Sequence, residues 1–161
     1  MVLIIIVITN DWGAIQAHIH AKPVVAASTE DINTADLLKY TNENRQTPLV
    51  LDERLNHSAQ AKCKDMVARN YWAHTAPGET DTWQRFIEDQ DITQGQAIGE
   101  NLSFGFSNSR AVVTGWMNSP EHKANIVKPE YSMAGFGVCH SDSYTANKGL
   151  PATIVVQHFA G

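Results

Sequence analysis

No run of lysine and arginine occurs anywhere in this 161-residue chain. Its 12 basic residues are scattered among 17 acidic ones, for a formal net charge of -5 at pH 7. A phosphate backbone needs a concentrated basic surface, so nucleic acid is excluded as a partner. A solvated face of mixed charge accounts for what is there. Internal repeats and low-complexity tracts are also missing, which argues against repeat arrays. Cysteine is scarce. The pair Cys63 and Cys139 lies too far apart for a Cys-x-x-Cys redox or zinc motif. There is no His-Glu-x-x-His helix and no Gly-x-Ser-x-Gly elbow, so the simplest signatures of a zinc peptidase and of a serine hydrolase are absent. The apolar run at residues 1–8 falls far short of the ~20 residues that a membrane-spanning helix needs.

That apolar start lacks the basic residues of an ordinary signal peptide. It is nonetheless followed by the small-residue stretch Pro23-Val-Val-Ala-Ala27 and Ser28, which resembles a cleavage site. Residues 1 to about 30 are therefore read as an export or anchor segment, and residues 22–33 as a linker. The domain assignment is 1–33 for the leader and linker and 34–161 for the folded unit. A chain of this size can bury one sizeable core. His18 and His20 form a His-x-His pair in the leader, a poor metal site on so short a segment.

The folded unit opens on a helix capped at Thr34, with Asp36 in its first turn. An extended piece follows at residues 49–51. Asp52 caps a second helix that runs to about residue 70. Leu55, Ala59, Cys63, Met66 and Val67 form its apolar stripe. Lys62, Lys64, Asp65 and Arg69 are assigned to the solvent side. Pro77-Gly78 marks a turn, Asp81 caps a short helix, and residues 91–97 read as loop. A further helix covers about 109–117. Ser119 and Pro120 open another, because proline at the first helical position needs no amide partner, and Pro129 stops it. Residues 132–140 and 153–159 are rich in β-formers and read as a hairpin. Helices before and between strands make the class α+β, with an antiparallel sheet covered by helices.

Four stretches stand in order along the chain: Tyr71-Trp-Ala-His-Thr-Ala-Pro77, Gly99-Glu-Asn-Leu102, Trp116-Met-Asn-Ser-Pro-Glu-His-Lys-Ala-Asn-Ile126, and Gly135-Phe-Gly-Val138 with a closing Val156-Gln-His-Phe159. Together they resemble the CAP superfamily, which includes cysteine-rich secretory proteins, insect venom antigens and plant pathogenesis-related proteins. The Ser-Pro-x-His-x-x-Asn-Ile pattern, with Asn42-Glu-Asn-Arg45 and Asp65-Met66, is similar to the bacterial branch. The resemblance runs from about Asp36 to the C-terminus. It implies a three-layer α-β-α sandwich with a central antiparallel sheet and a cleft lined by two histidines and two acids. Carried over residue by residue, these are His74, Glu100 and His122. The second acid falls on Ser119, so the set lacks one carboxylate.

Two imidazoles and a carboxylate make a three-ligand site with an open position, suited to zinc or another divalent metal. His74 and His122, with Glu100, are thus the metal candidates, and the same three are the candidates for catalysis. The competing bland assignment leaves each histidine at a helix end, satisfied by backbone. Ser119 lies three residues from His122, and with Glu100 the trio mimics a serine-histidine-acid relay. A helix cap explains Ser119 better. Asn101 is expected to bond the turn beside Glu100, and Asn125 to reach backbone across to the sheet. Trp72, Trp83 and Trp116 are core or cleft walls. His57, His140 and His158 receive no role. In an exported protein Cys63 and Cys139 would pair and staple a helix to a strand; otherwise Cys63 is a small core residue.

The family resemblance favours an exported, monomeric binding module whose cleft takes a small apolar or cell-envelope ligand, with or without a divalent metal. A metal-dependent hydrolase of peptide, ester or phosphodiester bonds is the second expectation. A structural surface module is the third.

Overall fold

The computed structural model describes residues 31–80, 83–92 and 97–161. The expected leader, its histidine pair and the Asp81 cap lie outside the described residues. The elements in chain order are α1 (Thr34–Asn42), β1 (Val50–Leu51), α2 (Glu53–Ala68), α3 (Gln84–Glu88), β2 (Ile98–Phe104), α4 (Ser109–Met117), α5 (Pro120–Val127), β3 (Met133–Tyr144) and β4 (Leu150–Ala160). The sheet order is β1-β3-β4-β2. β3 and β2 flank β4 in antiparallel pairing, and the two-residue β1 joins β3 in parallel at the far edge.

β4 explains the layering. Its side chains alternate between the two faces, as a strand requires, and both faces are buried. Val155 and Phe159 meet Leu37, Tyr40, Val112, Val113, Trp116 and Ile126, from α1, α4 and α5. Ile154 and Val156 meet Ala59, Cys63 and Met66 of α2. The result is an α-β-α sandwich with α2 alone as the main cover of one face.

One cap differs from expectation by one residue. Asn33, not Thr34, caps α1, its side chain accepting from Asp36 N. Asp52 caps α2 as expected, accepting from Arg54 N and Leu55 N. Ser119 occupies the cap position of α5, but its hydroxyl makes no capping bond. The entry of that helix relies on Pro120 and on Lys123 N reaching Ser119 O at 2.9 Å.

α2 lies unusually close to β3, and two glycines are the reason. A Cβ at Gly135 would stand 2.1 Å from the Leu55 carbonyl carbon, and one at Gly137 would stand 2.4 Å from that of Ala59. The contact is backbone on backbone. Asn56 Oδ1 accepts from Phe136 N at 2.8 Å, and Gln60 Oε1 from Val138 N at 3.1 Å. These side chains satisfy strand amides that would otherwise be buried without partners. A disulfide between Cys63 and Cys139, with Cα atoms 6.0 Å apart, fastens the same helix to the same strand.

Gly135→Ala tests this docking. It forces a side chain into space held by helix backbone, which cannot rotate aside. We expect a loss at or above the ~1–3 kcal/mol typical of overpacking, read as a lowered urea midpoint. A variant as stable as the parent would mean that α2 is free to lift from β3.

Candidate functional site

β2 is the edge strand opposite β1, and it carries the site. Ala97 and Gly161 exchange both backbone bonds, at 2.9 and 3.1 Å. Alternation then turns the backbone groups of residues 98, 100 and 102 away from β4. Their carbonyls are covered by side chains: Tyr131 Oη donates to Ile98 O at 2.8 Å, Asn125 Nδ2 to Glu100 O at 3.0 Å, and Trp116 Nε1 to Leu102 O at 3.0 Å. The edge is thereby closed to strand addition. α5 is also held against the strand that bears Glu100.

The β2–β4 register sets Glu100 directly opposite His158. Both side chains point to the α2 face and are fully buried. Glu100 Oε2 lies 3.0 Å from His158 Nε2. Glu100 Oε1 lies 2.5 Å from Nδ1 of His74, whose side chain is 54% exposed on the loop after α2. One buried carboxylate thus bridges two imidazoles. Behind them, Ser58 Oγ of α2 is 2.6 Å from His158 Nδ1, and the Trp83 ring lies 5.8 Å from that of His158.

Burial would raise the Glu100 pKa. The hydrogen bonds from His158 and His74, the charge of His158 and that of Lys62 outweigh it and hold the carboxyl below its ordinary value. An ionised carboxylate only accepts. Each imidazole nitrogen facing it therefore carries the proton. In neutral His158, Nδ1 is then the acceptor for the Ser58 hydroxyl. In neutral His74, Nε2 keeps its lone pair. Such a nitrogen can take a proton or bind a ligand donor.

His122 approaches from the opposite layer, on α5. Burial lowers its pKa, and the charge of His74 lowers it further. The structure places His74 and His158 on Glu100, while His122 lies on α5 with its backbone carbonyl bonded by Asn101. Ser119 sits one turn before His122. The serine-histidine-acid relay is not formed: among the described residues no hydrogen bond joins Ser119 Oγ, the His122 ring and Glu100, whose oxygens face His74 and His158.

The donor set does not fit a three-ligand metal centre. Among the described residues, no group of three His, Cys, Asp or Glu stands in position to hold a metal ion. Glu100 sits behind His74 as an orienting group, which leaves two imidazoles as donors.

Asn101 does not bond a turn beside Glu100, as expected; it lies within β2. It donates to His122 O at 3.2 Å and to Gln157 Oε1 at 3.3 Å. Gln157 in turn donates to Thr41 Oγ1 of α1 at 3.3 Å. Asn125 reaches the sheet at Glu100 O and at Asn101 Oδ1, 2.9 Å away. Trp116 is core, whereas Trp72 and Trp83 are half-buried. His57 and His140 are exposed on the surface.

This combination, an α-β-α sandwich with imidazoles gathered over a buried glutamate at the sheet edge, defines a class of small domains. The chain belongs to that class: the CAP family, described as the cysteine-rich secretory protein family, matches residues 37–159. The chain is 35% identical over 111 residues to the Bacillus subtilis protein YkwD, covering 66% of this chain and 42% of that protein. It is 31% identical over 75 residues to the B. subtilis membrane protein YlbC, covering 47% and 21%. It therefore spans less than half the length of these relatives. An extracellular SCP-domain protein of Bacillus anthracis has the same fold, with TM-score 0.63, 24% identity, and 78% of this chain and 39% of that one covered. An outer surface protein of Borrelia burgdorferi aligns with TM-score 0.56 and 22% identity over 78% and 86%.

Acid should weaken the fold in two steps. Glu100 and His122 both have lowered pKa values in the folded chain. The unfolded chain therefore binds more protons as pH falls, and stability drops. The His122 step begins below about 6.5 and the Glu100 step below about 4.5. Urea midpoints measured against pH should show both. Glu100→Gln should lower stability overall and abolish the lower step. A lower step unchanged in Glu100→Gln would assign it elsewhere.

Proposed function

We propose that this protein is an exported, extracytoplasmic binding module whose His74–Glu100–His122 cleft takes a small apolar or cell-envelope-derived ligand. The observation that carries the proposal is the half-exposed His74 ring, held by a carboxylate that has no exposure of its own. A buried ionised group is costly to keep unless it serves partners, and here it orients a group that faces outward. Trp72, two residues before His74 in the chain, packs edge-on against Phe104, ring centroids 4.8 Å apart. The extracellular and outer-surface neighbours support export. Among the described residues, no helix is long and apolar enough to cross a membrane.

One observation favours hydrolysis as the second reading. Glu100 sets the His74 tautomer so that Nε2 is the free base. Ser119 stands where a second acid would be needed for paired acid and base work, so this reading ranks below binding.

Solvent extraction and mass analysis of protein purified from its own host test the first reading. The wild type should carry an apolar or amphipathic compound, reduced at least about tenfold, or ~1.4 kcal/mol, in His74→Ala. A wild type with no bound compound but with chelator-sensitive turnover of ester or phosphodiester substrates, lost in His74→Ala, would replace binding with hydrolysis.

Divalent metal is proposed only as a further ligand held by the two imidazoles of His74 and His122, with Glu100 orienting His74 and not serving as a third donor. Zinc titrated into the domain should bind more weakly at about pH 5.5 than near pH 7.5, because protons compete for the imidazoles. No binding at either pH would leave the module metal-free.

A further inference from the structure

Lys62 sits on α2 with no exposed surface. The charged end of a lysine is seldom buried without partners. Its ammonium donates to Tyr71 Oη at 3.0 Å, to Ala73 O at 2.9 Å and to His74 O at 2.8 Å. An ammonium has three protons, so every donor is used. Two of the acceptors are the carbonyls immediately before and after the His74 Cα. The Tyr71 and Phe86 rings lie 4.8 and 5.8 Å from the nitrogen. Tyr71 is itself tied to Asp65 Oδ2 at 2.6 Å, and Tyr144 Oη donates to Tyr71 O.

Residues 71–75 belong to no helix or strand. Regular structure therefore does not hold the backbone that presents His74, while the ring is restrained by its bond to Glu100. The helix supplies the missing restraint. Ser58 and Lys62 are one turn apart on α2, and each serves one of the two imidazoles on Glu100. Ser58 meets the His158 ring, and Lys62 meets the backbone of His74. The Lys62 charge also attracts that of Glu100.

We infer that Lys62 is a positioning residue of the cleft: it pins the chain on both sides of His74 and sets a positive charge near the buried Glu100, so that the His74 Nδ1–Glu100 bond persists on an exposed ring. This rests on the reading of His74 as the working group of the cleft, but its test does not use the ligand.

Proton NMR of protein carrying 15N-histidine reads the result. A proton shared between an imidazole and a carboxylate gives a far-downfield signal, which lasts only while the bond shields it from exchange with water. Wild type should show one such signal for His74 and one for His158. Lys62→Met keeps the side-chain length and removes the ammonium. It should leave the His158 signal in place and speed exchange of the His74 proton by roughly tenfold or more, to the point of loss. Tyr71→Phe removes one acceptor but neither carbonyl, and should keep both signals. A folded Lys62→Met protein with both signals intact, or with both equally weakened, would make Lys62 merely structural and overturn the inference. If Lys62→Met does not fold, the wild-type ammonium decides. Held by three bonds, its protons should exchange slowly and give a resolved signal at neutral pH, whereas rapid exchange overturns the assignment. Unaltered ligand carriage in His74→Ala would remove the binding reading while leaving the Lys62 result intact.

Discussion

A carboxylate without solvent access has to be satisfied from within the protein, and at Glu100 that demand organises this domain. Each of its oxygens faces an imidazole, and its own backbone carbonyl is bonded by Asn125. Four parts of the chain meet that need: β4 through His158, the loop after α2 through His74, α5 through Asn125, and α2 through Ser58 and Lys62. Low polarity around the group strengthens each contact and makes an unpaired version costly. The chemistry of the cleft follows. The carboxylate decides which nitrogen of His74 is protonated, and the half-exposed ring then carries the consequence outward.

The second constraint is the fit of α2 to β3. The Gly135-Phe-Gly137 stretch lets helix backbone touch strand backbone. Asn56 and Gln60 occupy strand amides, and the disulfide spans the same contact. α2 is thereby placed accurately enough for its buried polar side chains to support the imidazoles. A helix riding one side-chain layer higher could not reach them. The glycine motif that marks the family is thus tied to the site, although neither glycine touches it.

Much of the helical architecture was legible because amphipathic spacing reports it directly. The second helix, the 109–117 helix and the terminal hairpin lie within a few residues of their expected places. Lys62 was misassigned for an instructive reason. Positions 55, 59, 62 and 66 follow one helical face, and only the charge of lysine suggested solvent. Spacing carried the correct signal and residue type overrode it. Nothing comparable announced His158. It stands inside a continuous buried run, from Ile154 to Ala160, where a strand covered on both faces shows no alternation to single out a working residue. Its role depends on facing Glu100 across the β2–β4 pair, and register is a property of two strands rather than of one. Asn101 was expected to bond a turn beside Glu100 because the edge strand β2 was not recognised as a strand.

The sequence by itself determined most of the helices and the terminal hairpin, since periodicity and caps are local, but not the edge strand β2. Ordered motifs also determined the family and named His74, Glu100 and His122. Only the tertiary structure decided that Glu100 would be shared between His74 and His158, that the Ser119 hydroxyl would make no capping bond, and that a buried lysine would hold the cleft loop. The physical reason is that hydrogen-bond capacity is finite. A carboxylate has two oxygens, and which groups occupy them depends on how sheet, helix and loop close together in space.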